Sequence, residues 1–242
     1  ALSNAGQPLV FIETLGGSAY QVRLVNVVSD TLQVDPVAIK GPEVSAMSGY
    51  KLTAVASPGG DMLYSLYGRT DGRPPFVHAL NLDQGFAYCI DLPAMASQNP
   101  NYADAAASGW ALSLDPGHSK LYASSALGQV AAIDTNQYTV VRSAGLTAPK
   151  ATSFLPPFIV DAAAKGFEGL GASAVDPSGR WLYVAWGSGF LPVDTTTLKP
   201  AALRDSGVVP EGNVGVRGAV FRESSGLAIP ECRDTAVVGR RC

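Results

Sequence analysis

The side chains with the clearest capacity for chemistry are two histidines, three cysteines and a set of recurring aspartates. His78 and Asp83 could act as an acid–base pair, but they lie an odd number of positions apart on one alternating stretch. In an extended strand an odd separation sends side chains to opposite faces, so no local dyad is expected. His118 falls in a proline-glycine turn and is expected at the solvent. Cys89, Cys232 and Cys242 contain no Cys-x-x-Cys pair, and two histidines do not complete a spaced zinc site. Cys232 and Cys242 could close a small C-terminal loop as a disulfide in an oxidising compartment, leaving Cys89 free; three unpaired thiols fit equally well. Asp83, Asp134 and Asp194 recur after apolar strands. Such repetition points to carboxylates that accept backbone N–H bonds in turns, rather than to a metal or catalytic set.

Two short strings invite an enzymatic reading and fail on context. Gly169-Leu170-Gly171-Ala172-Ser173-Ala174 fits a loose dinucleotide pattern. That fingerprint needs a strand before it and a helix after it, whereas a strand and a Pro-Ser-Gly turn follow here. Ser48-Gly49-Tyr50-Lys51 has the Ser-x-x-Lys spacing, but that chemistry needs both residues on one helical turn, and residues 49–56 alternate as a strand does. Neither a Gly-x-Ser-x-Gly elbow nor a phosphate-binding loop occurs. The chain offers no catalytic residue, metal-ligand set or cofactor-binding pattern.

The elements that would position any site are repeats. Ala54–Tyr64, Ala111–Tyr122 and Ala172–Tyr183 share one plan: an alternating apolar strand, a proline-bearing turn, then a strand containing Leu-Tyr. Proline presets φ for such a turn and glycine accepts the positive φ that follows, so each is expected to be a hairpin. A further strand ending in an apolar residue and Asp comes next: Val77–Asp83, Val130–Thr135 and Phe190–Thr195. Another short strand follows, as in Tyr138-Thr139-Val140-Val141, and the first, partial repeat has Val22–Asn26 in this place. Pro58, Pro116 and Pro177 recur at intervals of 58 and 61 residues, and the aspartates at 51 and 60.

Four antiparallel strands cannot bury both faces of their own sheet, and stacking such sheets around an axis solves the problem. The expected fold is therefore all-β, a β-propeller of four-stranded antiparallel blades with about four blades' worth of chain. The repeats span approximately 9–39 (partial), 49–92, 109–143, 171–203 and 214–230 (partial). Residues 1–242 would be one propeller domain or a propeller fragment. A small ring closed by the C-terminal strands and part of a larger ring completed by another chain both remain open. The order of Pro-x-Gly, Leu-Tyr, apolar-Asp-Thr and Val-Val resembles the YVTN-type propeller repeat, a relative of WD-type blades, over residues 49–203. The literal Tyr-Val-Thr-Asn string is absent; Tyr64-Ser65-Leu66-Tyr67, Tyr122-Ala123-Ser124-Ser125 and Tyr183-Val184-Ala185-Trp186 stand in its place. The resemblance implies either a non-catalytic binding scaffold or a propeller enzyme or enzyme subunit, lactonase-like or quinone-dependent dehydrogenase-like.

Composition narrows the partners. The chain has 242 residues, 47% of them hydrophobic and 15% charged, with 26 Gly and 17 Pro, which marks a folded, turn-rich protein. Net charge is −3 and no basic run exceeds Arg240-Arg241, so nucleic acid is not an expected partner. No apolar run reaches the length of a membrane span. Few lysines and the polar start Ala1-Leu2-Ser3-Asn4 lean toward an extracytoplasmic protein, periplasmic or secreted.

Function is expected on one face. In a blade of strands A to D, the A–B and C–D turns share one side of the disc, and the B–C and D–A connections share the other. The long connections, residues 68–75, 93–109, 144–171 and 204–215, all belong to the second set. Segregated insertions of this kind mark a recognition face. The aromatic and arginine residues there, Tyr67, Arg69, Arg73, Tyr102, Trp110, Phe158 and Phe167 with Phe76 and Phe154, are the side chains that typically anchor a protein partner. Ala-rich runs at 102–107 and 159–165 favour single helical turns. Trp181 and Trp186 occupy strand positions and are expected between blades. The leading expectation is a scaffold that binds a protein partner, which could be the chain completing the propeller. A structural component of an envelope or extracellular assembly is the remaining alternative.

Overall fold

The computed structural model describes residues 9–17, 19–26, 29–39, 47–69, 73–94, 109–125, 128–146, 171–186, 189–201, 220–222 and 226–228. Every regular element among them is a strand. The second repeat forms β6 (Tyr50–Ala56), β7 (Met62–Gly68), β8 (Phe76–Asn81) and β9 (Phe86–Asp91), paired antiparallel in chain order. The third forms β10 (Trp110–Leu114), β11 (Lys120–Ser125), β12 (Gln129–Asp134) and β13 (Thr139–Gly145) in the same meander. The fourth has β14 (Ser173–Val175), β15 (Trp181–Trp186) and β16 (Gly189–Asp194), with a bridge between Val193 and Pro200 standing for its outer strand. The expected opening strands of a further repeat are the antiparallel pair β17 (Val220–Arg222) and β18 (Gly226–Ala228). The runs at 102–107 and 159–165 lie outside the described residues.

Radial stacking is visible in how the sheets meet. The first strands of successive sheets, β6, β10, β14 and β17, lie side by side around the centre. The Ser113 and Ser173 hydroxyls bond across β10 and β14 at 2.6 Å. The apolar cores lie between sheets, not within one. Leu66, Val77, Leu121 and Ile133, all fully buried, join the second sheet to the third. Tyr122, Val130, Leu182 and Val193 join the third to the fourth. Burying such side chains contributes about 1.5–3 kcal/mol each, so neighbouring blades stabilise one another. The fold is a β-propeller of four-stranded antiparallel blades.

The turns explain the repeat. In the A–B hairpins Ser57, Asp115 and Asp176 each accept from the backbone N–H five residues on, at 2.7–2.9 Å. The residue entering positive φ is Gly60 (73°), His118 (56°) and Gly179 (73°). In the C–D turns Asp134 accepts from the N–H groups of Asn136 and Gln137, and Asp194 from those of Thr196 and Thr197. In the second repeat Asn81, not Asp83, holds this place and accepts from Gln84 N–H at 2.7 Å. The expected equivalence of Asp83 with Asp134 and Asp194 is thus displaced by two residues, because an amide oxygen caps the turn as well as a carboxylate does. Asn26 accepts from Ser29 N–H in the same way, and Asp30, Gly85, Tyr138 and Leu198 all take positive φ four residues after the cap.

That last correspondence aligns the N-terminal sheet with the later strands of the other blades. β1 (Leu9–Gly16), β2 (Ala19–Asn26) and β3 (Thr31–Leu32) take the B, C and D places, and the short β5 (Met47–Ser48) also pairs with β2. β4 (Ala38–Ile39) departs from the expected repeat boundary. It leaves the first blade and pairs with β9 in parallel, adding a fifth, outermost strand to the second sheet.

Candidate functional site

The face carrying the B–C and D–A connections holds a cleft between the first two blades. One wall is the end of the β1–β2 hairpin, where Gly16 and Gly17 turn the chain with φ of 109° and 59°. The other is the start of β6 and the end of β7. Gly49 and Gly68 pass so closely that a Cβ on Gly49 would stand 2.6 Å from the Gly68 carbonyl oxygen. The Tyr50 ring lies directly over Gly68, where a Cβ would meet its Cζ at 2.7 Å. Two glycines therefore let an aromatic ring cover the rim.

The floor is a continuous stack. Tyr20 and Tyr67 lie ring on ring at 4.6 Å and 11°, and Tyr67 stacks on Phe76 at 5.4 Å and 13°. The Arg69 guanidinium caps the far side of Phe76, 4.7 Å from its centroid, and pairs with Asp91. A cation over an aromatic face is attracted by the ring quadrupole, and the carboxylate fixes its position. Burial raises the pKa of both the Tyr20 and the Tyr67 hydroxyl above the ordinary phenol value. They stay protonated donors across the physiological range.

The cleft encloses about 550 Å³, within the range of small-ligand sites. Tyr20, Tyr50 and Tyr67 dominate it, with Thr14 and Ile12 from β1, and Lys51 supplies the one charge among the described lining residues. Ile12 and Tyr50 are over a third exposed, so the mouth is apolar as well as aromatic. This arrangement can hold a planar or apolar group against the tyrosine floor and an anion beside the ammonium. It contains no nucleophile–base pair. Among the described residues no three of His, Cys, Asp and Glu gather into a metal-binding group.

The expected anchors separate under this geometry. Tyr67 and Arg69 both belong to the stack. Arg73 is exposed in the β7–β8 connection. Trp110, expected in a connection, opens β10 and is 4% exposed in the core between the second and third blades. Phe76 opens β8 inside the stack. Tyr102, Phe154, Phe158 and Phe167 lie outside the described residues, as do Cys232 and Cys242. Trp181 is half-buried in β15 with Arg180 over its ring. Sequence reasoning missed Tyr20, Tyr50 and Lys51. The signal was the glycine preceding each wall, Gly16-Gly17 and Gly49, set aside when Ser48–Lys51 was weighed only as a catalytic string.

No protein family and no curated protein matches this chain. Among solved structures it is similar to a chain in the crystal structure of the mitotic checkpoint complex, with 14% sequence identity and a TM-score of 0.48. The likeness covers 93% of this chain and 59% of the other, so the present chain spans about three fifths of that chain's length.

Proposed function

We propose that the chain is a non-catalytic propeller scaffold that binds a protein partner through the face carrying its long connections, with the tyrosine cleft as the anchor point. The observation that carries this reading is the one-sidedness of the molecule. Among the described residues, the A–B and C–D turns of the second to fourth blades are short, and each is held by its own capping side chain. The connections at 69–75, 92–109 and 146–172 all leave on the opposite side, which is also the side of the cleft. Exposed tyrosine is a typical interface hot-spot side chain, and the Tyr20–Tyr67–Phe76–Arg69 stack makes the floor beneath Tyr50 rigid before any partner arrives.

The test compares the two faces. Proteins cross-linked to the native chain are quantified against a cleft variant, Tyr50→Ser with Lys51→Glu, and against an opposite-face variant, Asn136→Lys with Thr196→Lys. A partner lost only with the cleft variant supports the reading. Partners indifferent to the cleft variant, or lost equally with the turn variant, overturn it.

A further inference from the structure

We propose that Cys89, Met47 and His78 form a binding site for a soft monovalent metal ion, Cu(I), at the outer part of the first blade junction. The proposal is independent of partner binding. His78 and Cys89 are directly opposed on β8 and β9, which places both side chains on the face of the second sheet that meets the first. Directly opposed strand residues have Cβ atoms about 4.5–5.5 Å apart. Met47 arrives from β5 of the first sheet, and its Sδ lies 3.8 Å from Cys89 Sγ. A thiol and a thioether are thus in contact across the junction, and an imidazole occupies the strand position directly opposite the thiol.

The independent observation is on His78. The residue is 2% exposed, and its Nε2 is buried without a hydrogen-bond partner among the described residues. The Tyr67 ring stands edge-on at 6.2 Å. A buried, unsatisfied imidazole nitrogen is costly and rare in a folded protein. A ligand on that nitrogen removes the cost. An imidazole nitrogen is among the commonest metal ligands. Tyr20 donates its hydroxyl to Met47 Sδ at 3.5 Å, holding the thioether in place as an outer-shell group does.

The donor set selects the ion. Thiolate and thioether sulfur favour Cu(I), whereas zinc seldom uses a thioether and magnesium or calcium needs oxygen donors. On binding, the Cys89 thiol gives its proton to solvent, the sulfur bonds to copper, and no electron is transferred. One thiolate and one Cu(I) leave the site neutral, which suits its apolar walls. The thiol is exposed enough to provide entry.

The native chain and a Cys232→Ser/Cys242→Ser background are titrated with Cu(I) without oxygen, against the chromophoric chelator bicinchoninate. The expected result is one Cu(I) per chain in the background variant, with two sulfurs and one nitrogen in its X-ray absorption spectrum. Cys89→Ser abolishes binding. Met47→Leu and His78→Gln each weaken it by at least the roughly tenfold that loss of an outer-shell partner costs. Retained metal-free circular dichroism of Cys89→Ser and Met47→Leu separates lost binding from lost folding, so the exposed-thiol and thioether variants decide if His78→Gln does not fold. Failure to hold Cu(I) against the chelator, survival of binding in Cys89→Ser, or indifference to Met47→Leu overturns the proposal.

Discussion

The Thr135 hydroxyl donates to the His118 carbonyl oxygen at 2.7 Å, tying the C–D turn of the third blade to its A–B turn. Thr195 does the same to Gly179 at 2.7 Å in the fourth. Both threonines are buried, and Thr195 Oγ1 also lies 3.0 Å from the Arg180 carbonyl oxygen. The recurring Asp-Thr pair therefore divides its work: Asp caps its own turn and Thr staples the neighbouring hairpin. Thr135→Val keeps shape and removes the staple. It should lower unfolding stability by about 0.5–1.5 kcal/mol, read from urea denaturation, and Thr195→Val should behave alike.

His118 holds φ at 56°, where the equivalent residues of the other two hairpins are glycine. A side chain there crowds its own backbone by about 1–2 kcal/mol, partly offset by the added freedom that glycine gives the unfolded chain. His118→Gly is expected to raise stability by about 0.5–1 kcal/mol, and Gly179→Ala to lower it by about 1 kcal/mol. Thermal unfolding of the two variants side by side checks both signs.

Desolvation lowers the pKa of His78 from 6.5 to about 4 in the folded chain. Below 6.5 the unfolded chain takes up a proton that the folded chain refuses. The stability contributed by the neutral imidazole is complete above about 6.5 and is lost as pH falls toward about 4, with a slope of up to about 1.4 kcal/mol per pH unit. The stability difference between the metal-free protein and His78→Leu should shift by about 2 kcal/mol between pH 7 and pH 5 in urea titrations. No shift would mean that the imidazole is solvated.

Gly171 lies against the backbone of Gly109 and Trp110, and a Cβ there would overlap both. Gly171→Ala must push the β14 end of the fourth blade away from β10. Backbone cannot yield as a flexible side chain does, so the cost should be at least about 1–3 kcal/mol. Trp110 fluorescence should shift at the same time, since its strand moves.

The sequence was most informative where structure is local. Ser57, Asp115 and Asp176 build their hairpins with residues at most five positions away, and the alternation of Leu121, Ala123 and Tyr122 with their neighbours sets strand faces without help from the rest of the chain. The blade period and the antiparallel meander were legible for that reason. Even the misplacement of Asp83 was a local error, since Asn and Asp cap such a turn equally well.

The junction between the first two blades was not legible. Tyr20 meets Tyr67 across 47 positions, Met47 meets Cys89 across 42, and β4 crosses to a neighbouring sheet as a parallel edge. No turn rule or alternation specifies these meetings. They depend on how far around the axis each sheet sits and which of its faces it turns to the next. The chain's residues set each blade's strands and turns through neighbours a few bonds apart; the cleft and the Met47–Cys89 contact came only with stacking, because packing between sheets brings together residues that share nothing along the chain.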